Sequence, residues 1–280
     1  MVPQTDEHGR IDLQSVEALS PNDLHDWIWA RLHDEDTAVP GDPRMNVGQY
    51  HLVDQIYDDL LPETQAEVRR VLKRFLRQLE DDHPDWQGRP AHDLLLLVKD
   101  LDGDELADPI KRMARDEQFL EGDNPDFDLH ARLLQALVFL GEKGTPDFWE
   151  RQLELDAVRF GVNAFAGMRL HSLEQALGDV LPRLDLEDED LRTKLKTELR
   201  GLLASNRYSR DDLKAIIGEM IAHGHLSGDA QALIREALPE LEIEELDEDE
   251  SEPEANPFSK AQEFFGEDTK SEKLTPATAQ

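Results

Sequence analysis

Apolar residues recur every three or four positions along most of the first 239 residues, and this periodicity constrains the fold more than any other feature of the sequence. The spacing places apolar side chains on one face of a helix, which must then pack against another helix. Leucine occurs 42 times, against 12 valines and 9 isoleucines, and leucine forms helices more readily than the β-branched residues do. No segment alternates apolar and polar residues between hairpin turns. The sequence therefore predicts an all-α fold.

Helix starts in this sequence are marked by capping residues. Ser20 and Thr145 each precede a proline, which suits the first position of a helix. Ser209 is followed by two acidic residues in the next turn, where they oppose the positive end of the helix dipole. The links between helices are short and contain Gly, Pro, Asp and Asn, so we expect consecutive helices to be antiparallel neighbours.

The amino-acid composition of the chain changes near residue 239. Residues 1–239 are predicted to form a helical body of about ten helices, with a candidate sub-boundary near 84–92 or 120–126. Residues 240–254 then contain ten acidic side chains and no basic one. A segment with so few apolar residues cannot offset the entropy lost on ordering. We therefore predict that 240–280 is a mostly disordered acidic tail.

A short motif interrupts the acidic tail at residues 256–266. Its apolar side chains follow one another at spacings that would share one face of a short helix; they are Phe258, Ala261, Phe264 and Phe265. The start of the motif, Asn256-Pro257-Phe258, resembles the Asn-Pro-Phe ligands of endocytic adaptor domains. Exposed apolar residues in an acidic tail favour a docking peptide for a groove on a partner. The alternative is a tail that folds back on its own body.

The formal net charge is −33, from 30 basic and 63 acidic residues. Much of this charge belongs to the predicted body, so it is not confined to the tail. Such a charge argues against binding of nucleic acids or anionic membranes. It is compatible with improved solubility, with adaptation to salt, or with recruitment of a basic partner.

Five basic side chains nevertheless gather on one predicted helix, residues 62–79. This basic stripe consists of Arg69, Arg70, Lys73, Arg74 and Arg77. Positions 69, 73 and 77 are four apart and share one side of the helix. The stripe could bind a phosphate or another anion, which would make the protein an anion-binding regulatory module. It could instead pair with acidic side chains of the same protein.

The sequence contains no motif that supports catalysis, a cofactor or a metal. Cysteine is absent, as are the phosphate-binding loop, the dinucleotide fingerprint and the nucleophile elbow. His223 and His225 provide two imidazoles, but the spacing places no third ligand. We therefore predict no catalytic, cofactor-binding or metal-binding residue and no cofactor. A helical hydrolase remains as an enzyme alternative without an identified constellation.

Targeting features are equally sparse in the sequence. No apolar run approaches the roughly 20 residues needed to cross a bilayer. The first ten residues are polar and include Asp6 and Glu7, unlike a signal peptide. We therefore expect a cytoplasmic protein without a membrane segment.

Residues 126–204 show a more specific pattern. A Gly closes one helix, a Pro opens the next, and an Asp-x-Val-Arg step opens a third, with apolar residues between; the residues are Leu140-Gly141, Thr145-Pro146, Leu153, Asp156, Val158-Arg159, Val162 and Phe165-Ala166. A second Asp-Leu-Arg step occurs at Asp190-Leu191-Arg192, followed by Leu195 and Leu199. The pattern resembles HEAT or armadillo-like helical repeats, in which helix pairs stack because none can bury its apolar face alone.

The resemblance implies a short HEAT-like α-solenoid, whereas the residues alone also allow an irregular helical bundle. It further implies a binding scaffold rather than an enzyme. Together with the tail motif, it predicts a non-enzymatic protein–protein interaction scaffold or adaptor with a C-terminal docking peptide. The predicted partner is another protein.

Overall fold

The computed structural model describes residues 3, 11–33, 51–82, 84–99, 101, 104–120, 125–141, 144–205 and 207–243. Over these residues it confirms the all-α prediction, since helices follow one another and no β-strand is present. Contacts divide the chain into two units, residues 1–241 and 242–280. The predicted acidic tail from residue 244 onward lies outside the described residues, as do the four residues of the predicted docking peptide, Phe258, Ala261, Phe264 and Phe265.

Twelve α-helices lie in the described part of the chain. They are α1 (Leu13–Glu17), α2 (Pro21–His33), α3 (His51–Tyr57), α4 (Pro62–Glu80), α5 (Arg89–Lys99), α6 (Asp104–Arg115), α7 (Phe127–Phe139), α8 (Pro146–His171), α9 (Leu173–Gln175), α10 (Glu189–Ala204), α11 (Arg210–Ala222) and α12 (Gly228–Ala237). A π-helical turn at Ala176–Val180 and short 3₁₀ turns complete the described chain.

The predicted helix starts are capped as expected. The hydroxyl of Ser20 accepts the Asp23 amide at 3.2 Å, and that of Thr145 accepts the Phe148 amide at 3.3 Å. Ser209 forms a capping box, because its hydroxyl accepts the Asp212 amide while the Asp212 carboxylate accepts the Ser209 amide. These caps satisfy amide groups that have no partner inside the helix.

Helix α5 is central to the first half of the unit. Its apolar run is buried almost completely, at Leu94, Leu95, Leu97 and Val98. The helix packs against α2, α4 and α7. These contacts join parts of the chain on either side of residues 84–92 and 120–126, the two candidate sub-boundaries. An aromatic cluster lies beside it, with the ring centres of Trp29 and Trp86 5.2 Å apart.

Helix α8 is bent into two segments at Asp156, whose backbone is extended (φ −162°, ψ 97°). The first segment, 146–155, carries the buried Trp149, and the second, 157–171, carries Gly167. A Cβ atom at Gly167 would lie 2.1 Å from the Trp149 ring. The glycine therefore allows the indole to lie directly on the backbone of the second segment and fixes the angle of the bend.

Candidate protein-binding groove

A groove of about 820 Å³ runs across α7, the second segment of α8, and α10. Each helix contributes a stripe of side chains at helical spacing. On α7 the stripe runs from Asp128 to Phe139, on α8 from Val158 to Ala166, and on α10 from Asp190 to Glu198. Three neighbouring helices thus present one side each to a shared concave surface, which we call the groove.

The groove holds two large apolar side chains that the fold leaves exposed. Phe139 is 57% exposed and Val158 is 66% exposed, and both line the groove. Among the described residues, Leu61 is the other exposed large apolar side chain, and it lies elsewhere, just before α4. The Lys99 ammonium lies 4.8 Å from the centre of the Phe139 ring. Exposed apolar groups within a concave, partly charged surface are typical of interaction sites.

Two polar contacts fix the helices that form the groove. The Asn163 amide donates to the Ala131 carbonyl at 3.2 Å and joins α8 to α7. Arg169 joins α8 to α10 by donating to both the carbonyl (3.2 Å) and the carboxylate (2.8 Å) of Glu198. Because Arg169 and Glu198 are both largely shielded from solvent, this contact is screened less than a surface ion pair. The groove is therefore preorganised.

The bend at Asp156 determines which side chains of α8 line the groove. The Asp156 carboxylate accepts the amides of Val158 (3.1 Å) and Arg159 (3.0 Å), and it also accepts the Arg159 guanidinium at 2.6 Å. Burial acts to raise the pKa of Asp156, but the hydrogen bonds from Arg159 outweigh it and lower that pKa. The ionised carboxylate thus starts the second segment and places Val158 at the exposed edge of the groove.

Charges in the groove are mostly paired. Lys194 donates to Asp190 at 3.0 Å, and Glu198 is bound by Arg169. Arg132 differs, because it donates to the neutral Gln135 at 2.9 Å and forms no ion pair with any described residue. This half-buried guanidinium is available to a carboxylate on a partner.

The basic stripe on α4 is partly used within the protein. Arg69 donates to the Tyr57 hydroxyl, which raises the pKa of Arg69, and to Glu105 at 3.1 Å. Arg70 pairs with Glu67. Lys73, Arg74 and Arg77 form no ion pair with the described part of the chain. Of the five predicted residues, two therefore form ion pairs within the described part of the chain and three do not.

The local steps of the repeat-like pattern coincide with helix boundaries. Gly141 follows α7 with φ +71°, Pro146 opens α8, and Asp156 opens its second segment. The second step differs, because α10 is capped by Asp188 rather than by Asp190. Arg192 there bonds to Glu236 of α12 at 2.6 Å instead of a neighbouring acid.

The two histidines noted in the sequence lie at the end of α11. The Nδ1 atom of His223 lies 2.8 Å from the Glu219 carbonyl, and its ring stacks on His225 with centres 6.0 Å apart. Over the described residues, no group of three or more His, Asp or Glu side chains is arranged to hold a metal ion.

Sequence reasoning did not single out Phe139, Arg132 or the groove itself. A signal was present, because the buried row of α7 passes through Leu133 and Leu137, and Phe139 lies off that row. A large aromatic residue away from the buried face of a helix indicates a candidate interaction surface when other exposed apolar groups lie beside it.

No family model, no curated protein and no solved structure matches this chain. Within the described ranges, no helix is both long enough and apolar enough to span a membrane.

Proposed function

We propose that this protein is a non-enzymatic protein–protein interaction scaffold or adaptor, and that the groove across α7, α8 and α10 is its partner-binding surface. The observation that carries the proposal is the exposure of Phe139 and Val158 inside a groove whose helices are fixed by polar contacts. The proposal includes a HEAT-like arrangement of the helix pairs in residues 126–204 and a cytoplasmic location.

The groove favours a partner segment of a particular chemistry. Phe139 and Val158 require apolar side chains opposite them, and Arg132 requires a carboxylate. An amphipathic helix or extended peptide that carries both kinds of side chain would meet these requirements. The excess of acidic residues over the whole chain would disfavour a partner whose charge is acidic throughout.

The C-terminal motif with Phe258, Ala261, Phe264 and Phe265 supports a second docking element in this proposal. Its apolar spacing suits a groove on another protein. An adaptor needs two binding elements, and the groove and the motif would supply them.

The second candidate function is the anion-binding regulatory module. It is favoured by Lys73, Arg74 and Arg77, which have no ion-pair partner among the described residues. It is weakened by the local engagement of Arg69 and Arg70. Surface cations on a helix contribute little affinity unless several converge on one ligand.

A site-specific photocrosslinker tests the proposed surface. It is placed at Val158, with Leu61 as the matched control because both side chains are apolar and more than half exposed. We expect position 158 to crosslink to one discrete protein and position 61 to crosslink to none. Truncation after residue 243 should leave the crosslinked product from position 158 unchanged. The identified partner, once purified, should then bind the full chain directly. The same products from both positions, or none from position 158, would contradict the proposal.

A further inference from the structure

A second cavity, of about 380 Å³, lies between α6, α7 and the start of α8, apart from the groove. Three cationic side chains line it, and apolar side chains form its walls. The cations are Lys111, Arg115 and Arg151, and the apolar residues are Leu137, Phe148 and Trp149. In a chain with about twice as many acids as bases, the cations that line this cavity outnumber the one acid that lines it.

The cations differ in how they are held. The Arg151 guanidinium is oriented by two hydrogen bonds to the Glu117 carboxylate, at 2.8 and 3.3 Å. Arg115 forms no ion pair with any residue that the structure describes. One acid, Asp147, also lines the cavity and opposes part of this charge. The N-terminus of the first segment of α8 lines the same cavity and favours negative charge there.

Gln152 is a second feature of the cavity that points to a ligand, independent of the cations. It lines the cavity although only 1% of it is exposed. Its carbonyl oxygen lies 2.8 Å from Nε2 of the buried His130. Burial lowers the pKa of His130, so the ring is neutral, and Nε2 is its donor in this contact. The Gln152 amide nitrogen then donates to no described residue, and because Gln152 lines the cavity this donor is available to a ligand.

We propose that this cavity binds a small molecule in which a phosphate group is joined to an aromatic ring. Arg115, Arg151 and the Gln152 amide donate to the phosphate oxygens beside the start of α8. The ring lies against Leu137 and Phe148. A phosphate accepts more hydrogen bonds than a carboxylate and carries up to two charges, so it matches several donors better. The volume suits a ligand at the small end of the usual range.

Phenyl phosphate, inorganic phosphate and benzoate are the probes for this site. Binding to the full chain is measured by calorimetry and by shifts of the Gln152 side-chain amide signals in NMR spectra. We expect phenyl phosphate to bind and to shift those signals, inorganic phosphate to bind more weakly, and benzoate to bind weakest. Arg115→Glu should weaken phenyl phosphate at least about tenfold, because it replaces a charge-assisted donor by a repelling group.

Arg200→Glu is the matched control, since it makes the same change of charge at an exposed arginine on α10, outside both the cavity and the basic stripe. It should leave phenyl phosphate affinity within about twofold of the wild type, because long-range surface charge is screened by salt. The proposal is overturned if phenyl phosphate does not bind, if both variants weaken it equally, or if the Gln152 signals do not move. Tighter binding of benzoate would overturn the assignment of phosphate.

Discussion

The basic stripe on α4 and the groove across α7, α8 and α10 use apolar and charged side chains in opposite ways. The large apolar side chains of α4 are all buried, and its outer face is mostly polar and charged; the buried residues are Val68, Val71, Leu72, Phe75, Leu76 and Leu79. The groove keeps Phe139 and Val158 exposed among charges that are mostly paired. A high density of charge on a helix is therefore typical of a solvated face, whereas unburied apolar groups in a concave surface are typical of an interaction site.

The largest expected effect concerns the packing that orients α8 in the groove. Gly167→Ala would place a methyl group within the Trp149 ring and should lower the free energy of unfolding by about 1–3 kcal/mol. Chemical denaturation measures the effect. Gly218→Ala is the control, since a Cβ at this exposed helical glycine meets nothing within 4 Å. It should raise stability by about 0.5–1 kcal/mol. Equal effects of both changes would mean that the close contact with Trp149 does not constrain α8.

The next effect concerns the polar contact between α8 and α10. Arg169→Met keeps an unbranched side chain about as long as the aliphatic part of arginine but removes both hydrogen bonds to Glu198. We therefore expect the free energy of unfolding to fall by about 1–2 kcal/mol. Lys194→Met removes an ion pair to Asp190 whose side chains are 62% and 84% exposed. That change should cost less than about 0.5 kcal/mol. If Lys194→Met costs as much as Arg169→Met, the groove is not held by its shielded contact.

A smaller effect is expected on the α4 side and depends on pH. Arg112 donates to the Glu80 carboxylate at 2.5 and 2.8 Å and lowers the pKa of Glu80 below its usual value of 4.5. Because the folded-state pKa is below the unfolded one, the stabilisation is present above pH 4.5 and is lost as pH falls through the folded-state pKa. Glu80→Gln should therefore flatten the decline of stability in acid. An unchanged profile would show that this pair does not contribute.

The smallest expected change in stability is at the exposed edge of the groove. Val158→Asp removes an apolar side chain that is 66% exposed, so the free energy of unfolding should change by less than about 0.5 kcal/mol. Thermal denaturation measures this change. A large loss would mean that Val158 belongs to the core rather than to a binding surface.

The sequence predicted the helices well because capping and periodicity are local properties. Ser20, Thr145 and Ser209 start helices as expected, and Asp156 opens a new helical segment within the pattern that resembled a repeat. The groove was not predicted, because it depends on which helices become neighbours. Asn163 reaches Ala131 across 32 positions, a contact that no local pattern specifies. The charge of the basic stripe was easy to see, but its pairing with Glu105 on α6 was not.

The affinity of a purified partner for two variants tests the central claim most directly. Val158→Asp alters the groove, and Arg74→Glu alters the basic stripe at an exposed position. We predict that Val158→Asp raises the Kd at least about tenfold, because a charge is placed against apolar partner groups, while Arg74→Glu changes the Kd less than about twofold. A Kd that rises with Arg74→Glu and stays constant with Val158→Asp would contradict the account.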